Sequence, residues 1–136
     1  MYQLPIVAVP VGNQYGLNNE FSESNIVSLS YDQSGLRIVL ETNPKGSFDR
    51  LNLEYLFKHT RGFRILDELD IYRYWNNEIF SSNHHLYELQ KGGWLEQETQ
   101  FSGMMSNPNG IREWFIRTSN LCANIFAPNI PLIREL

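Results

Sequence analysis

Few residues in this 136-residue sequence have the types and spacing that catalysis or metal binding requires. The histidines are His59, His84 and His85. Adjacent residues of a strand point to opposite faces, so His84 and His85 would not bind one ion together. The sequence has no Cys-x-x-Cys or His-x-His spacing. We therefore expect neither a metal nor another cofactor.

Nucleophilic and acid–base chemistry have equally little support. The single cysteine, Cys122, lies in the apolar segment Leu121-Cys122-Ala123 and is expected to be a buried, unreactive thiol. Glu96 and Glu98 are two residues apart, so on a strand both carboxylates would project from one face. A pair of that kind can raise one pKa for acid–base catalysis, but a solvated acidic face is the commoner arrangement. We expect the protein not to be an enzyme.

The charge of the chain is concentrated in one stretch. The net charge is −4, from 11 basic and 15 acidic side chains. Residues 67–98 contain seven acids against two bases, whereas the remainder contains eight acids against nine bases. An acidic chain is a poor nucleic-acid binder, because phosphate contacts need a basic face. The asymmetry instead indicates a basic protein partner or a solvated polar face.

Most apolar segments of the sequence alternate with period two, which is the pattern of half-buried strands. Turns rich in Asn and Gly separate these segments. The pattern predicts strands at 27–31, 36–40, 51–57, 63–66, 84–90, 94–101, 113–118 and 121–127. Residues 33–35 are expected to close one hairpin, and Gly92-Gly93 a second.

One segment, residues 67–76, has the signals of a short helix. Asp67 is a suitable N-cap, Asp70 occupies the capping-box position, and Leu66 and Ile71 could form a hydrophobic staple. The chain is therefore expected to be one β-rich α+β domain, residues 1–136. We expect a single antiparallel sheet, a sandwich or a half-barrel, with six to eight strands and about one short helix.

Two segments resemble motifs of small bacterial proteins encoded beside polymorphic or contact-dependent toxins. The first is Gly62-Phe63-Arg64-Ile65-Leu66-Asp67-Glu68-Leu69-Asp70, continuing to Tyr74-Trp75. The second runs from Leu86-Tyr87-Glu88 to Gly92-Gly93-Trp94-Leu95-Glu96-Gln97-Glu98, and the last strands, ending Leu121-Cys122-Ala123-Asn124-Ile125-Phe126, fit the usual ending of that group. The resemblance covers about half of the chain. It implies a non-enzymatic immunity protein that binds and neutralises one cognate toxin domain.

The resemblance and the charge pattern lead to the same expected partner, the C-terminal domain of a basic toxin such as a nuclease. The alternative is a small enzyme or ligand-binding domain with an aromatic-lined pocket, and a third possibility is a homo-oligomeric module. We expect a cytoplasmic monomer or weak homodimer without a membrane segment or a bound nucleic acid. The residues expected to contact the partner are Asp67, Glu68, Asp70, Tyr72, Tyr74, Glu96 and Glu98.

Overall fold

The computed structural model describes residues 6–11, 21–44, 50–67, 85–101 and 110–136. These residues contain nine strands and one helix. The strands are β1 (Val7–Pro10), β2 (Phe21–Asp32), β3 (Gly35–Pro44), β4 (Leu51–Phe57), β5 (Gly62–Asp67), β6 (Leu86–Lys91), β7 (Arg112–Arg117), β8 (Leu121–Ala127) and β9 (Leu132–Glu135). The helix, α1 (Trp94–Phe101), lies between β6 and β7.

The strands form two antiparallel sheets. One has five strands in the order β1-β6-β7-β8-β5, and the other has four in the order β2-β3-β4-β9. The hairpin between β2 and β3 turns at Gln33 and Ser34, where the Asp32 carboxylate accepts the Ser34 N–H at 2.7 Å. Gly35 follows with a φ of 122°, a conformation that residues with a Cβ rarely adopt.

The two sheets pack face to face over one hydrophobic core. We call the face of each sheet that points to the other sheet its inner face, and the opposite one its outer face. The four-stranded sheet contributes alternate residues of β3 and β4, and the five-stranded sheet contributes alternate residues of β6, β7 and β8. Trp114 is completely buried there, and its indole N–H donates to the Ala127 carbonyl at 3.1 Å. Period-two alternation in the sequence produces this core directly.

The outer face of the five-stranded sheet carries a second, smaller apolar cluster of Tyr87, Leu89, Phe115 and Cys122. Cys122 is only 1% exposed, which confirms the predicted burial of this thiol. Both faces of this sheet are therefore apolar over part of their area, and helix α1 lies on the outer one. None of the described helices is long and apolar enough to cross a membrane.

The β-rich antiparallel fold with a short helix was predicted correctly. Seven of the eight predicted strands correspond to β2 through β8. The prediction for residues 94–101 was wrong, because this segment is helix α1 and not a strand. The strands β1 and β9 were not predicted. The predicted helix at 67–76 starts at Asp67, the last residue of β5, and its other residues lie outside the described part.

One buried hydroxyl in the core leads to a prediction about stability. Tyr55 is completely buried, and its hydroxyl has no hydrogen-bond partner among the described residues. This burial also raises the pKa of Tyr55 above its ordinary value. An unsatisfied buried hydroxyl costs about 1–3 kcal/mol. Tyr55→Phe should therefore raise the free energy of unfolding, by about 1 kcal/mol, in urea melts. A loss of stability in the Phe variant would show that the hydroxyl has a stabilising partner.

Candidate functional site

Helix α1 begins at two glycines that follow strand β6. Gly92 has a φ of 76°, which turns the chain out of the strand. The carbonyl of Gly93 accepts the Gln97 N–H at 3.2 Å, so Gly93 is the N-cap. A glycine N-cap has no side chain to satisfy the first N–H groups of the helix. These groups therefore need an acceptor from another part of the chain.

Glu113, near the start of β7, supplies that acceptor. Its Oε2 accepts the backbone N–H of Trp94 at 3.1 Å, and its Oε1 accepts that of Leu95 at 2.9 Å. Asn124 of β8 donates its side-chain N–H to Oε2 at 2.7 Å. One carboxylate thus joins the start of helix α1 to two strands of the five-stranded sheet. A negative charge at this position also matches the dipole of the helix.

Aromatic and cationic side chains extend this network to strand β5. Arg64 donates its Nε–H to the Oδ1 of Asn124 at 3.1 Å. Its guanidinium carbon also lies 4.8 Å from the ring centroid of Trp94. Trp94 stacks on Phe126 of β8, with 4.3 Å between the ring centroids. Helix α1 is therefore held by a hydrogen-bonded carboxylate and by a half-buried indole between an aromatic ring and a cation.

The environment of Glu113 affects its protonation. Burial raises the pKa of Glu113 above its ordinary value of 4.5. Three hydrogen bonds to the carboxylate, from Leu95, Asn124 and Trp94, and the charge of Arg64 act in the opposite direction. Burial is the larger effect, so the folded protein binds a proton at Glu113 more tightly than the unfolded chain does.

An open groove of about 430 Å³ lies beside the start of helix α1. It is lined by Glu88, Leu89, Gln90, Lys91, Gly93, Leu95, Glu96, Ile111, Arg112 and Glu113. Its lining includes three carboxylates, of which Glu88 forms a double hydrogen bond with Arg112, at 2.7 and 2.9 Å. None of the described lining residues is aromatic.

Two of the predicted partner-binding residues lie on an element other than the one expected. Glu96 and Glu98 lie on helix α1 and not on a strand, so the argument from strand alternation was wrong. The Oε2 of Glu96 accepts the Gly92 N–H at 2.6 Å, and the Oε1 of Glu98 accepts the indole N–H of Trp94 at 3.0 Å. Both side chains are half-buried. They support the start of the helix as well as carrying its negative charge.

Asp67 is the one other predicted residue that the structure describes, and it does not lie beside Glu96 and Glu98. Asp67 is exposed at the end of β5, opposite Leu121 in the neighbouring strand. Because Leu66 packs in the outer cluster, strand alternation directs Asp67 to the other face of the sheet, away from helix α1. Among the described residues, Asp67 therefore does not share a face of the sheet with helix α1. Glu68, Asp70, Tyr72 and Tyr74 lie outside the described residues.

The sequence-based search for a site missed Glu113 and Asn124. The signal was present in the pattern of strand β8. Asn124 stands between Ala123 and Ile125 in a strand that is otherwise apolar, and a buried amide requires hydrogen-bond partners. That requirement indicates a polar group on the adjacent strand. Glu113 is the acidic residue there that shares the outer face with Asn124.

Comparison with known proteins did not assign this chain to a family. No protein-family model, curated protein or solved structure matches it.

Gly93 lies against the carboxylate of Glu113, and it provides a first test of the network. A Cβ at residue 93 would collide with the Oε1 of Glu113 and would lie 2.8 Å from Cδ1 of Leu89. Gly93→Ala should therefore lower the free energy of unfolding by about 1–3 kcal/mol, measured in urea melts. Gly110→Ala is the control, because a Cβ there would have no heavy atom of the described residues within 4 Å. Equal effects of the two variants would contradict the close approach.

The raised pKa of Glu113 predicts a pH dependence of stability. A group with a raised pKa in the folded state contributes stability that is complete below its unfolded pKa and is lost as the pH rises through its folded pKa. The contribution of Glu113 to the free energy of unfolding should therefore fall as the pH rises above about 4.5. Glu113→Gln should be less stable overall and should lack this part of the slope. Parallel pH profiles for the two proteins would show that Glu113 does not titrate in this way.

Proposed function

We propose that this protein is a non-enzymatic immunity protein that binds and blocks the basic C-terminal domain of a cognate toxin. The observation that carries the proposal is the charge of helix α1 beside the groove. The helix contains Glu96 and Glu98 and has no basic residue in its last turn. Glu96 and Glu98 project from different sides of this helix, and both add to the negative potential that a basic partner would meet as it approaches.

Binding is better supported than catalysis because the carboxylates of the groove already have intramolecular partners. Glu88 is paired with Arg112, and Glu96 accepts the N–H of Gly92. Both oxygens of Glu113 accept backbone N–H groups at the start of helix α1. Groups held in this way stabilise a surface, whereas a general base needs an oxygen that can reach the proton of a substrate.

The immunity function can be tested by co-expression with the C-terminal domain encoded by the gene immediately upstream. We expect the chain to restore growth of cells that express this domain, and the purified proteins to form a complex. A domain that is toxic but is neither bound nor neutralised would contradict the proposal. The experiment needs no assumption about which surface of the chain is used.

The role of the negative charge of helix α1 is tested by substitutions that remove charge while keeping hydrogen-bond acceptors. Glu96→Gln and Glu98→Gln together should lower the association rate several-fold at low salt. The matched control is Gln97→Glu, which adds a charge to the same helix and should raise the rate. The differences should shrink as the screening length falls to about 8 Å at physiological salt. Association rates that do not change with these substitutions would show that the interface lies elsewhere on the protein.

One observation favours the alternative of a small enzyme or ligand-binding domain. Glu113 lines the groove and its pKa is raised by burial, and perturbed carboxylates in clefts are found at catalytic sites. If Glu113 were a catalytic residue, Glu113→Gln would abolish an activity while toxin neutralisation was unaffected. If its role is to hold helix α1, the same variant should weaken toxin binding.

A further inference from the structure

Strand β2 is an edge strand with an unusual length and composition. It spans 12 residues and lies at the end of the four-stranded sheet, where β3 is the one described strand that pairs with it. The outer edge of such a strand presents N–H and C=O groups to other chains. Proteins usually protect these edges with lysine, proline or a covering segment. Strand β2 contains neither lysine nor proline.

The first half of this edge is covered by the turn between β7 and β8. The Ser24 N–H donates to the Ser119 hydroxyl at 3.2 Å, and the Ser24 carbonyl accepts the Ser119 N–H at 2.9 Å. The Ile26 N–H donates to the Oδ1 of Asn120 at 3.3 Å. An additional strand therefore cannot pair with β2 before residue 27.

The second half of the edge is exposed and apolar. Val27 is 52% exposed, Leu29 36% and Tyr31 57%. Leu29 and Tyr31 stand opposite Ile38 and Leu36 of β3, so they lie on the inner face of the sheet. Their exposure shows that the five-stranded sheet does not fully cover the inner face at these two residues. Tyr31 also contacts the Phe63 ring at the edge of the other sheet, with 5.8 Å between centroids. Exposed apolar side chains along a strand edge are typical of an interface.

A bulge decides which backbone groups point outward in this half. The register with β3 shifts between Ile26 and Ser28, which leaves Val27 as an extra residue. Before the bulge, the outward groups belong to Ser24 and Ile26. One inserted residue reverses the alternation, so beyond it the groups of Leu29 and Tyr31 point outward. Within the described part of the chain, no hydrogen bond uses the backbone N–H or C=O groups of this outward edge.

We propose that this half of β2, residues 28–32, pairs antiparallel with the same segment of a second copy about a two-fold axis at Ser30. Residue 30 is the midpoint of the segment between the covered half and the hairpin turn, so this register pairs all of it. Leu29 of each copy then stands opposite Tyr31 of the other, and the outward groups of both can form hydrogen bonds. The two four-stranded sheets become one sheet of eight strands.

The charges of the segment are compatible with this symmetric pairing. Asp32 is its only charged residue. Its pKa is lowered by hydrogen bonds from Ser34, so it is ionised at neutral pH. In the proposed register Asp32 stands opposite Ser28 of the other copy, and no like charges face each other directly. Ser30 faces Ser30 as a pair without mutual backbone hydrogen bonds, with Cα atoms about 4.5 Å apart.

Cysteine cross-linking of the full chain tests the register. Ser30→Cys should form an intermolecular disulfide under mild oxidation, since the two Cβ atoms come close across the axis. Ser28→Cys is the matched control on the same face, because its two copies would lie about 13 Å apart along the strands. The native Cys122 is buried and present in both variants. We expect cross-linking of the first variant at least about tenfold faster than that of the second.

Sedimentation equilibrium tests the association without a cross-link. Ser30→Lys puts two like charges opposite each other and should weaken the dimer several-fold, whereas Ser28→Lys faces Asp32 and should strengthen it several-fold. A native chain that stays monomeric at its highest soluble concentration would overturn the proposal. Equal cross-linking of the two cysteine variants, or equal shifts from the two lysines, would also overturn it.

Discussion

The site depends on the hydrogen bonds that the Glu113 carboxylate accepts from the start of helix α1. A helix that starts at Gly93 cannot cap itself, and Glu113 reaches its first N–H groups from a buried position on strand β7. The same carboxylate accepts a hydrogen bond from the side-chain amide of Asn124, whose oxygen accepts one from Arg64. Removal of Glu113 would leave the half-buried N–H groups of Trp94 and Leu95 without their acceptor, and the loss of such hydrogen bonds is costly. The position of the helix and the shape of the groove therefore depend on one strand residue.

Part of this arrangement could be predicted from the sequence. Period-two alternation identified seven strands and the apolar character of β8, because strands of a sandwich repeat that pattern. It failed at residues 94–101, where the two glycines suggested a hairpin, although Leu, Glu and Gln favour a helix and Glu96 stands at the N3 position. The cap from Glu113 is a contact between segments distant in sequence. Such a contact depends on strand order, which local patterns do not contain.

The two proposed interfaces lie on different sheets of the molecule. Helix α1 covers the outer face of the five-stranded sheet, whereas the open half of β2 is an edge of the four-stranded sheet. Pairing of two copies through β2 would therefore leave the acidic helix of each copy available to a basic partner. An immunity protein of this form would bind two toxin domains per dimer, and the two associations would depend on different residues.

Amide hydrogen exchange at the start of helix α1 tests the central role of Glu113 most directly. In the native protein the N–H groups of Trp94 and Leu95 should exchange slowly, because the carboxylate accepts both. In Glu113→Ala these two amides should exchange at least about tenfold faster, while the amides that pair β7 with β8 remain protected. Fast exchange at both positions in the native protein, or unchanged protection in the variant, would contradict the account.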